Sequence, residues 1–201
     1  MLVPTVVERE GSVERTYDIF SRLLKDRLIF INGPIEDNMA QIIVAQILFC
    51  DSVSDQPIEL YINSPGGVVT AGLAILDTAR FSKCKINTTV IGQACSMGAF
   101  LLTAAAIPAE GSEKEKGDRI ALPSSSIMIH QPLGGFQGQA SDIEIHAKTI
   151  LKTKENLNKE IARCSNLTYE ETVEKTDRDN FLDAYEAKEM GLIDKIVGYK
   201  K

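Results

Sequence analysis

Residues 92–99 read GQACSMGA, and they join a predicted strand to a predicted helix. The preceding residues 86–91, INTTVI, are rich in β-branched side chains and end at a glycine, as a buried strand does. The following residues 99–106, AFLLTAAA, contain no helix breaker and predict a buried helix. Ser96 therefore lies at a helix N-terminus, where unpaired backbone N–H groups and the helix dipole suit a developing oxyanion.

Ser96 on its own does not establish an active site. The nucleophile-elbow motif, Gly-x-Ser-x-Gly, is not met, because Ala94 stands where its first glycine would be. Serine is also a favoured cap of a helix N-terminus, and this role is the commoner one for an isolated serine at such a junction. The serine becomes a candidate nucleophile only if a base and an acid accompany it.

Strands and helices alternate on both sides of this junction. The predicted strands are residues 27–31, 58–63, 120–122 and 126–130, and the predicted helices are residues 17–25, 37–50 and 68–81. Asp37 is expected to cap the second of these helices, whereas residues 1–14 are polar and are expected to form an irregular arm. The βαβα order predicts an α/β fold with a mostly parallel sheet and right-handed crossovers.

The last third of the chain is predicted to be mainly helical. Residues 141–164 predict a long amphipathic helix that opens with a capping box of Ser141 and Glu144. Two shorter helices follow, with the same capping pattern at Thr168 with Glu171 and at Asp183 with Glu186. The long helix is either an arm outside the core, of the kind that mediates self-association, or a helix packed on its own sheet.

The composition argues against several classes of protein. The chain has 201 residues, of which 44% are hydrophobic and 25% are charged, as expected of a single globular domain. Its net charge of −6 argues against general binding to nucleic acid or to an anionic membrane. Four cysteines without Cys-x-x-Cys spacing argue against a zinc site, and they are expected to be reduced, in a cytoplasm-like compartment.

Two histidines are available as a base for Ser96. His130 ends a predicted strand and precedes a loop rich in Pro and Gly, and sites in open α/β sheets lie at such strand ends. A histidine with a purely structural role gives the same pattern. His146 lies among charged residues of the long helix, where a solvated position is expected. Four aspartates are candidates for the acid, and the residue pattern does not choose among Asp177, Asp179, Asp183 and Asp194.

Residues 63–67, NSPGG, are a second glycine feature, between a strand and a helix. The Pro-Gly-Gly run allows a tight turn whose backbone N–H groups face a ligand. No Gly-Lys-Ser/Thr follows it, so the turn is not a phosphate loop. Its N–H groups either complete an oxyanion hole with the N–H of Met97 or belong to a plain strand-to-helix turn.

Four segments, taken in order, closely resemble the signatures of the proteolytic subunits of ATP-dependent Clp proteases, the ClpP family. They are YINSPGG (residues 61–67), GQACSMGAFLL (residues 92–102), MIHQPLGG (residues 128–135) and DRDNF (residues 177–181). The resemblance extends over nearly the whole chain. It implies Ser96 as the nucleophile, His130 as the general base and Asp179 as the acid that orients the base.

The same resemblance implies roles for four further residues. The backbone N–H groups of Gly67 and Met97 would form the oxyanion hole. Asp177 and Arg178 match the polar contact that the family makes between two rings, beside the catalytic acid.

The implied architecture is a crotonase-like α/β spiral of βαβ units with a protruding helical handle. One peptidase domain would span residues 1–201, divided into an axial-pore arm (1–16), a head (17–130), a handle (131–165) and a C-terminal head segment (166–201). Two stacked heptameric rings of this chain would enclose a chamber lined by the active sites.

The resemblance also implies the partners. A hexameric AAA+ Clp unfoldase would dock on a ring and feed unfolded polypeptides inward, using ATP, while this chain is expected to bind no cofactor and no metal. Neither nucleic acid nor a membrane is an expected partner. The expected location is the cytoplasm of a bacterial-type cell, or an organelle stroma or matrix in a eukaryote.

The chain departs from the family pattern at three places. Residues 107–115 look like an insertion, predicted to be a solvated loop, and we hypothesise that it reshapes docking of the unfoldase. Cys95 replaces an alanine beside the serine, and it is expected to be a small buried thiol rather than a rival nucleophile. Glu59 stands where the family often has an aromatic residue that lines the docking pocket.

Two other functions are compatible with parts of the pattern. A catalytically silent subunit of a mixed Clp ring would share the architecture, but such subunits lack residues of the triad, and this chain has all three. A crotonase-type acyl-CoA enzyme would share the spiral and a backbone oxyanion hole, but it would not need Ser96 together with His130 and Asp179.

Overall fold

A computed structural model describes residues 2–11 and 13–198. Within these residues the strands are β1 Thr5–Glu10, β2 Val13–Asp18, β3 Leu28–Asn32, β4 Ile58–Ser64, β5 Ile86–Cys95, β6 Arg119–Ala121, β7 Ser126–Ile129, β8 Asn180–Leu182 and β9 Lys195–Ile196. The helices are α1 Ile19–Lys25, α2 Asp37–Val53, α3 Val69–Phe81, α4 Met97–Ala104, α5 Ala140–Cys164, α6 Tyr169–Lys175 and α7 Ala184–Glu189. Met1, Ser12 and residues 199–201, which fall in the predicted arm and the predicted C-terminal head segment, lie outside the described residues.

Strands β3 to β9 form one sheet built mainly from parallel pairs. Its main order is β3-β4-β5-β6-β9, with β7 beside β5 and β8 beside β7. The β7–β8 pair is antiparallel, and the other pairs described in this sheet are parallel. Ile58, Leu60 and Ile62 of β4 are 0% exposed, because they share an apolar core with helices α2, α3 and α4. The predicted α/β fold with a mostly parallel sheet is confirmed.

Strand β5 changes its partner halfway along. Residues 88–90 pair with β6, whereas residues 93–95 pair with β7. Gly92 separates the two halves and has a φ of +82°, which L side chains rarely adopt. The bend at Gly92 allows β5 to end beside β7, so Ser96 emerges next to the strand that leads into His130.

The N-terminal segment is not the irregular arm that we expected. Strands β1 and β2 pair in antiparallel register from Thr5 opposite Asp18 to Glu10 opposite Val13. Gly11, with a φ of +64°, lies in the connecting turn. β-Branched residues stand on both sides of this glycine (Val6, Val7, Val13 and Thr16), but they do not alternate strictly with the charged residues, so no clear strand period was visible.

Two of the predicted helix caps are wrong, and two predicted capping boxes are confirmed. Helix α2 includes Asp37, so Glu36 rather than Asp37 occupies its cap position. Helix α5 starts at Ala140, which places Ser141 inside the first turn and leaves the predicted capping box unformed. The observed caps, Glu36 and Gln139, lie one and two residues before the predicted ones, in segments where several polar neighbours are plausible caps. The capping boxes at the starts of α6 and α7 are present as predicted.

The long helix α5 combines the two alternatives that the sequence left open. Its C-terminal part is packed into the core, where Ile161 and Cys164 are buried. Its N-terminal part leaves Ile143, Ile145 and Leu151 exposed by 43%, 60% and 65%. One end of α5 is therefore anchored beside the sheet, and the other presents apolar side chains to its surroundings. No helix in the described part of the chain has the length and apolarity needed to cross a membrane.

Candidate active site

Ser96 occupies a strained turn between β5 and α4. Its φ of 53° and ψ of −120° lie outside the regions that non-glycine residues favour. Its N–H donates to the Met128 carbonyl at 2.8 Å, which holds the turn against β7. The Ser96 side chain makes no capping hydrogen bond to α4. The interpretation of this residue as a simple helix cap is therefore wrong, since its hydroxyl points elsewhere.

The Ser96 hydroxyl is hydrogen-bonded to His130. The distance from Ser96 Oγ to His130 Nε2 is 2.8 Å, and His130 Nδ1 lies 2.7 Å from Asp179 Oδ1. With the Nδ1–H donating to the carboxylate, Nε2 carries the lone pair that accepts the serine proton. The His130 side chain is 12% exposed, so the imidazole is held in a largely enclosed position. The three residues form a continuous hydrogen-bonded chain.

The strand β8, which we did not predict, explains why Asp179 is the acid. Strands β7 and β8 are antiparallel, with Ile129 opposite Asn180. The next pair outward along this ladder is His130 and Asp179, so the register itself brings the two side chains together.

The other three candidate acids have different partners in the structure. Asp183 caps helix α7 by accepting from two backbone N–H groups. Asp194 is paired with Arg119 and Lys116. The backbone carbonyl of Asp177 accepts a hydrogen bond from the side chain of Gln131 at 2.6 Å. Among the four aspartates, all of them in the described residues, the acid bonded to His130 is Asp179.

The expected oxyanion donors, the backbone N–H groups of Met97 and Gly67, belong to two segments that meet at Ser96. Met97 is the first residue of α4, so its N–H has no acceptor within the helix. The turn before α3 packs directly against the Ser96–Met97 backbone. A Cβ added to Gly66 in this turn would lie only 3.0 Å from the Met97 nitrogen and 2.7 Å from the Ser96 Cβ. Position 66 therefore has to be glycine for the turn to approach the serine.

Gly67 continues this turn beside Ile35. The Ile35 N–H donates to the Gly66 carbonyl, and the Val68 N–H donates to the Ile35 carbonyl, so this bridge does not use the N–H of Gly67. A Cβ at Gly67 would lie 2.2 Å from the Ile35 carbonyl oxygen, and its φ is +155°. The turn is thus fixed by its neighbours, and the amide of Gly67 is left for another acceptor.

A small, partly open pocket lies beside Ser96 and His130. Helix α4 contributes Met97 and Phe100 to its walls, and the remaining lining residues are Val69, Ile129, Pro132, Leu157, Asn158 and Ile161. The lining is mostly apolar, which suits a hydrophobic side chain of a ligand next to the serine.

Sequence reasoning missed one polar residue of this pocket, Asn158. It is 2% exposed, its Oδ1 accepts from the hydroxyl of Thr176 at 3.0 Å, and its Nδ2 has no hydrogen-bond partner among the described residues. The signal was available, because Asn158 is spaced three residues before Ile161 and so falls within the apolar stripe of α5.

Asp177 and Arg178 lie next to the site but are not part of the hydrogen-bonded chain. Their side chains are 57% and 84% exposed, and they form a loose ion pair with each other at 3.8 Å. The Asp177 carboxylate also lies 4.0 Å from Lys154 Nζ and accepts from the side chain of Gln131 at 3.4 Å. Gln131, at the start of the segment that leads to α5, reaches across to Asp177 and also donates its backbone N–H to the Thr176 carbonyl. Both predicted contact residues are thus available at the surface beside the acid.

Cys95 is buried beside the serine, and its environment makes it a poor nucleophile. Burial raises the pKa of the thiol, and the nearby charge of Asp179 raises it further. The thiol therefore stays protonated near neutral pH. The described residues contain no cluster of His, Cys, Asp and Glu that could hold a metal ion.

The arrangement supports acyl transfer by a serine. It combines a hydroxyl bonded to an imidazole, an imidazole bonded to a carboxylate, backbone N–H groups at a helix N-terminus and an apolar pocket. In a comparison with known protein families, the model of the Clp protease family matches residues 10–200. That match covers nearly all of the chain, so the protein belongs to the Clp protease family.

Proposed function

We propose that this protein is a serine endopeptidase, the proteolytic subunit of an ATP-dependent Clp protease. Membership in the Clp protease family supports a peptidase of this type. The single observation that carries the catalytic assignment is the hydrogen-bonded chain from Ser96 through His130 to Asp179. The strained backbone of Ser96 gives independent support, because strain of this kind is typically retained at functional sites.

The proposed reaction begins with acylation of the enzyme. Ser96 Oγ attacks the carbonyl carbon of the scissile peptide bond while His130 Nε2 takes the hydroxyl proton. The carbonyl oxygen becomes an oxyanion, and the N–H groups of Gly67 and Met97 donate hydrogen bonds to it. Asp179 stabilises the imidazolium, which then gives its proton to the leaving amine as the C–N bond breaks.

Deacylation repeats these roles with water as the nucleophile. His130 takes a proton from a water molecule, the resulting hydroxide attacks the acyl carbon, and the proton returns to Ser96 Oγ as the ester bond breaks. No cofactor enters either step, so we propose that ATP is used by the partner and not by this chain. The pocket beside Ser96 would hold the side chain that precedes the scissile bond.

We propose that the active sites face a closed chamber. Proteins of this family generally assemble into rings and act with Clp ATPases. On this basis, two heptameric rings would stack through the handle, residues 131–165, with Asp177 and Arg178 at the contact. The hairpin β1–β2 would line the axial pore within the arm, residues 1–16, and a hexameric AAA+ unfoldase would deliver unfolded chains. Four free, buried cysteines are in keeping with a cytoplasmic location.

The two rival functions remain less favoured. A catalytically silent subunit would not need a serine with a strained backbone that is hydrogen-bonded to a histidine. A crotonase-type acyl-CoA enzyme would not need the acid at Asp179.

The proposal is tested by peptide hydrolysis with the assembled protein. Wild type and Ser96→Ala are assayed on a fluorogenic tripeptide with leucine before the cleaved bond, and on an unfolded protein with and without a Clp unfoldase and ATP. We expect wild type to cleave both, with protein cleavage dependent on unfoldase and ATP, and Ser96→Ala to cleave neither. Peptide cleavage that persists in Ser96→Ala would show that another group does the chemistry.

A further inference from the structure

Arg80, near the C-terminal end of α3, joins three elements that are distant in sequence. Its Nε donates to the Ile107 carbonyl at 3.2 Å, and its Nη2 donates to the Ala104 carbonyl at 3.3 Å. The same Nη2 pairs with the carboxylate of Glu160 on α5. The Arg80 side chain is 13% exposed and that of Glu160 is 21% exposed, so the pair is largely withdrawn from water.

Glu160 is held in its charged form by several donors. Burial by itself raises the pKa of Glu160, but hydrogen bonds from Arg163, Arg80 and the thiol of Cys164 outweigh burial and lower the pKa to about 2. The carboxylate is therefore ionised throughout the neutral range. Loss of Glu160 would leave the largely buried Arg80 without its carboxylate partner, whereas loss of Arg80 would leave Glu160 paired with Arg163 alone.

The two helices that Arg80 joins, α4 and α5, both contribute residues to the lining of the pocket beside Ser96. Helix α4 begins directly after Ser96 and ends at Ala104, roughly 12 Å further along the helix axis. Arg80 donates a hydrogen bond to the carbonyl of Ala104, at this far end of the helix. Helix α5 carries Leu157 and Ile161 into the pocket, and Glu160 lies between these two residues in sequence. The ion pair thus sets how closely the pocket wall of α5 approaches the helix that positions the serine.

We propose that Arg80 and Glu160 are positioning residues for substrate binding, which fix the base of α5 against α4 and so set the width of the pocket. This inference rests on the proposed peptidase function. The pair touches neither the substrate nor the reacting atoms. Its loss widens the pocket and weakens the grip on large apolar side chains, whereas the chain from Ser96 to Asp179, built on β5, β7 and β8, keeps its geometry.

The experiment compares two readouts on the assembled protein. The first readout is kcat and KM for peptides that have leucine or alanine directly before the cleaved bond. The second is the rate at which Ser96 is modified by a small fluorophosphonate that carries no group able to fill the pocket. We expect Arg80→Met and Glu160→Gln each to lower kcat/KM for the leucine peptide about tenfold, mainly through KM. We expect the alanine peptide and fluorophosphonate rates to stay within about twofold.

Two further variants guard against a general loss of folding. Arg80→Lys keeps the charge opposite Glu160, and we expect it to recover most of the leucine-peptide activity. Glu155→Gln removes an exposed ion pair with Lys159 on the same helix, 2.5 Å long, and we expect no change in either readout. The double variant Arg80→Met with Glu160→Gln is expected to lose no more than either single variant, because both remove the same contact.

Three results would overturn the inference. The first is that both single variants cleave the leucine peptide with wild-type kcat and KM. The second is that all measured rates fall by the same factor while the Tm of the variant is lowered. The third is that Arg80→Lys does not recover cleavage of the leucine peptide. A wild-type protein that neither reacts with the fluorophosphonate nor cleaves any peptide would refute the proposed function itself, and the inference with it. Labelling of wild type with unaltered selectivity in the variants would refute the inference alone.

Discussion

The sheet and the helix α5 contribute to this site in different ways. The hydrogen-bonded residues Ser96, His130 and Asp179 lie at the ends of strands β5 and β7 and the start of β8, where the register of buried strands fixes them. Helix α5 supplies part of the pocket wall from one end and exposes apolar side chains at the other. This difference indicates that the geometry of the catalytic residues depends on strand register. Substrate binding and self-association depend instead on how α5 is anchored.

The largest effect is expected in the sheet-derived part of the site. His130→Ala removes the base, and we expect kcat/KM for peptides to fall by about 10⁴-fold or more, with unchanged assembly. The matched control is His146→Ala, which replaces the other histidine of the chain, an exposed residue of α5 stacked on Phe136. The measurement is kcat/KM for the same peptide in both variants. An equal loss of kcat/KM in His130→Ala and His146→Ala would contradict the assignment of the chemistry to the sheet and not to α5.

The next effect concerns the stability of the sheet. Burial raises the pKa of Asp194, but hydrogen bonds from Arg119 and Lys116 outweigh it, so the net pKa is lowered. Arg119 is 4% exposed, and Asp194→Asn leaves its charge without a counter-ion. We expect the free energy of unfolding at pH 7 to fall by about 3 kcal/mol, measured by chemical denaturation.

The pH dependence of this effect follows from the sign of the pKa shift. A lowered folded pKa stabilises the protein above the ordinary aspartate pKa of 3.8, and this stabilisation is lost as the pH falls further. Wild type and Asp194→Asn should therefore differ fully at pH 7 and converge in acid. Asp118→Asn, which removes an exposed ion pair with Lys195, is the control and should cost less than about 1 kcal/mol.

A smaller effect, on association alone, is expected at the free end of α5. Ile145→Ser with Leu151→Ser removes two exposed apolar side chains, each worth about 1 kcal/mol if half of its surface is buried in an assembly. We expect sedimentation velocity to show smaller species at a given concentration, with the far-ultraviolet spectrum of the folded chain unchanged. Full assembly of this double variant would show that the apolar face is not used.

The smallest effect is expected at Cys95. Its thiol is buried and its pKa is raised, so it does not take part in the chemistry. Cys95→Ala should leave kcat/KM within about twofold of wild type, measured with the same tripeptide. A loss comparable to that of His130→Ala would require a catalytic role for the thiol.

Much of the sheet could be predicted from the sequence because its strands are apolar and bounded by glycine or proline. Strands β3, β4 and β5 and helices α2 and α3 were predicted within a few residues of their observed ends. The short strands β8 and β9 were missed, since two or three residues do not establish a period. The hairpin β1–β2 was missed because its charged residues were taken as a sign of irregular structure.

The candidate site was predictable in part for a similar physical reason. Ser96 and His130 stand at visible strand ends, so local pattern pointed to both. The choice of Asp179 depends on the pairing of β8 with β7, which brings together residues 49 positions apart. The contact between Arg80 and Glu160 joins residues 80 positions apart and leaves no trace in either local pattern.

The most direct test of the central claim is modification of Ser96 itself. Wild type, Ser96→Ala and His130→Ala are incubated with a fluorophosphonate, and the modified residue is located by mass spectrometry of the digested protein. The account predicts modification of wild type at Ser96, none in Ser96→Ala, and a rate lowered by about 10³-fold or more in His130→Ala. Modification at another residue, or equal rates in wild type and His130→Ala, would contradict it.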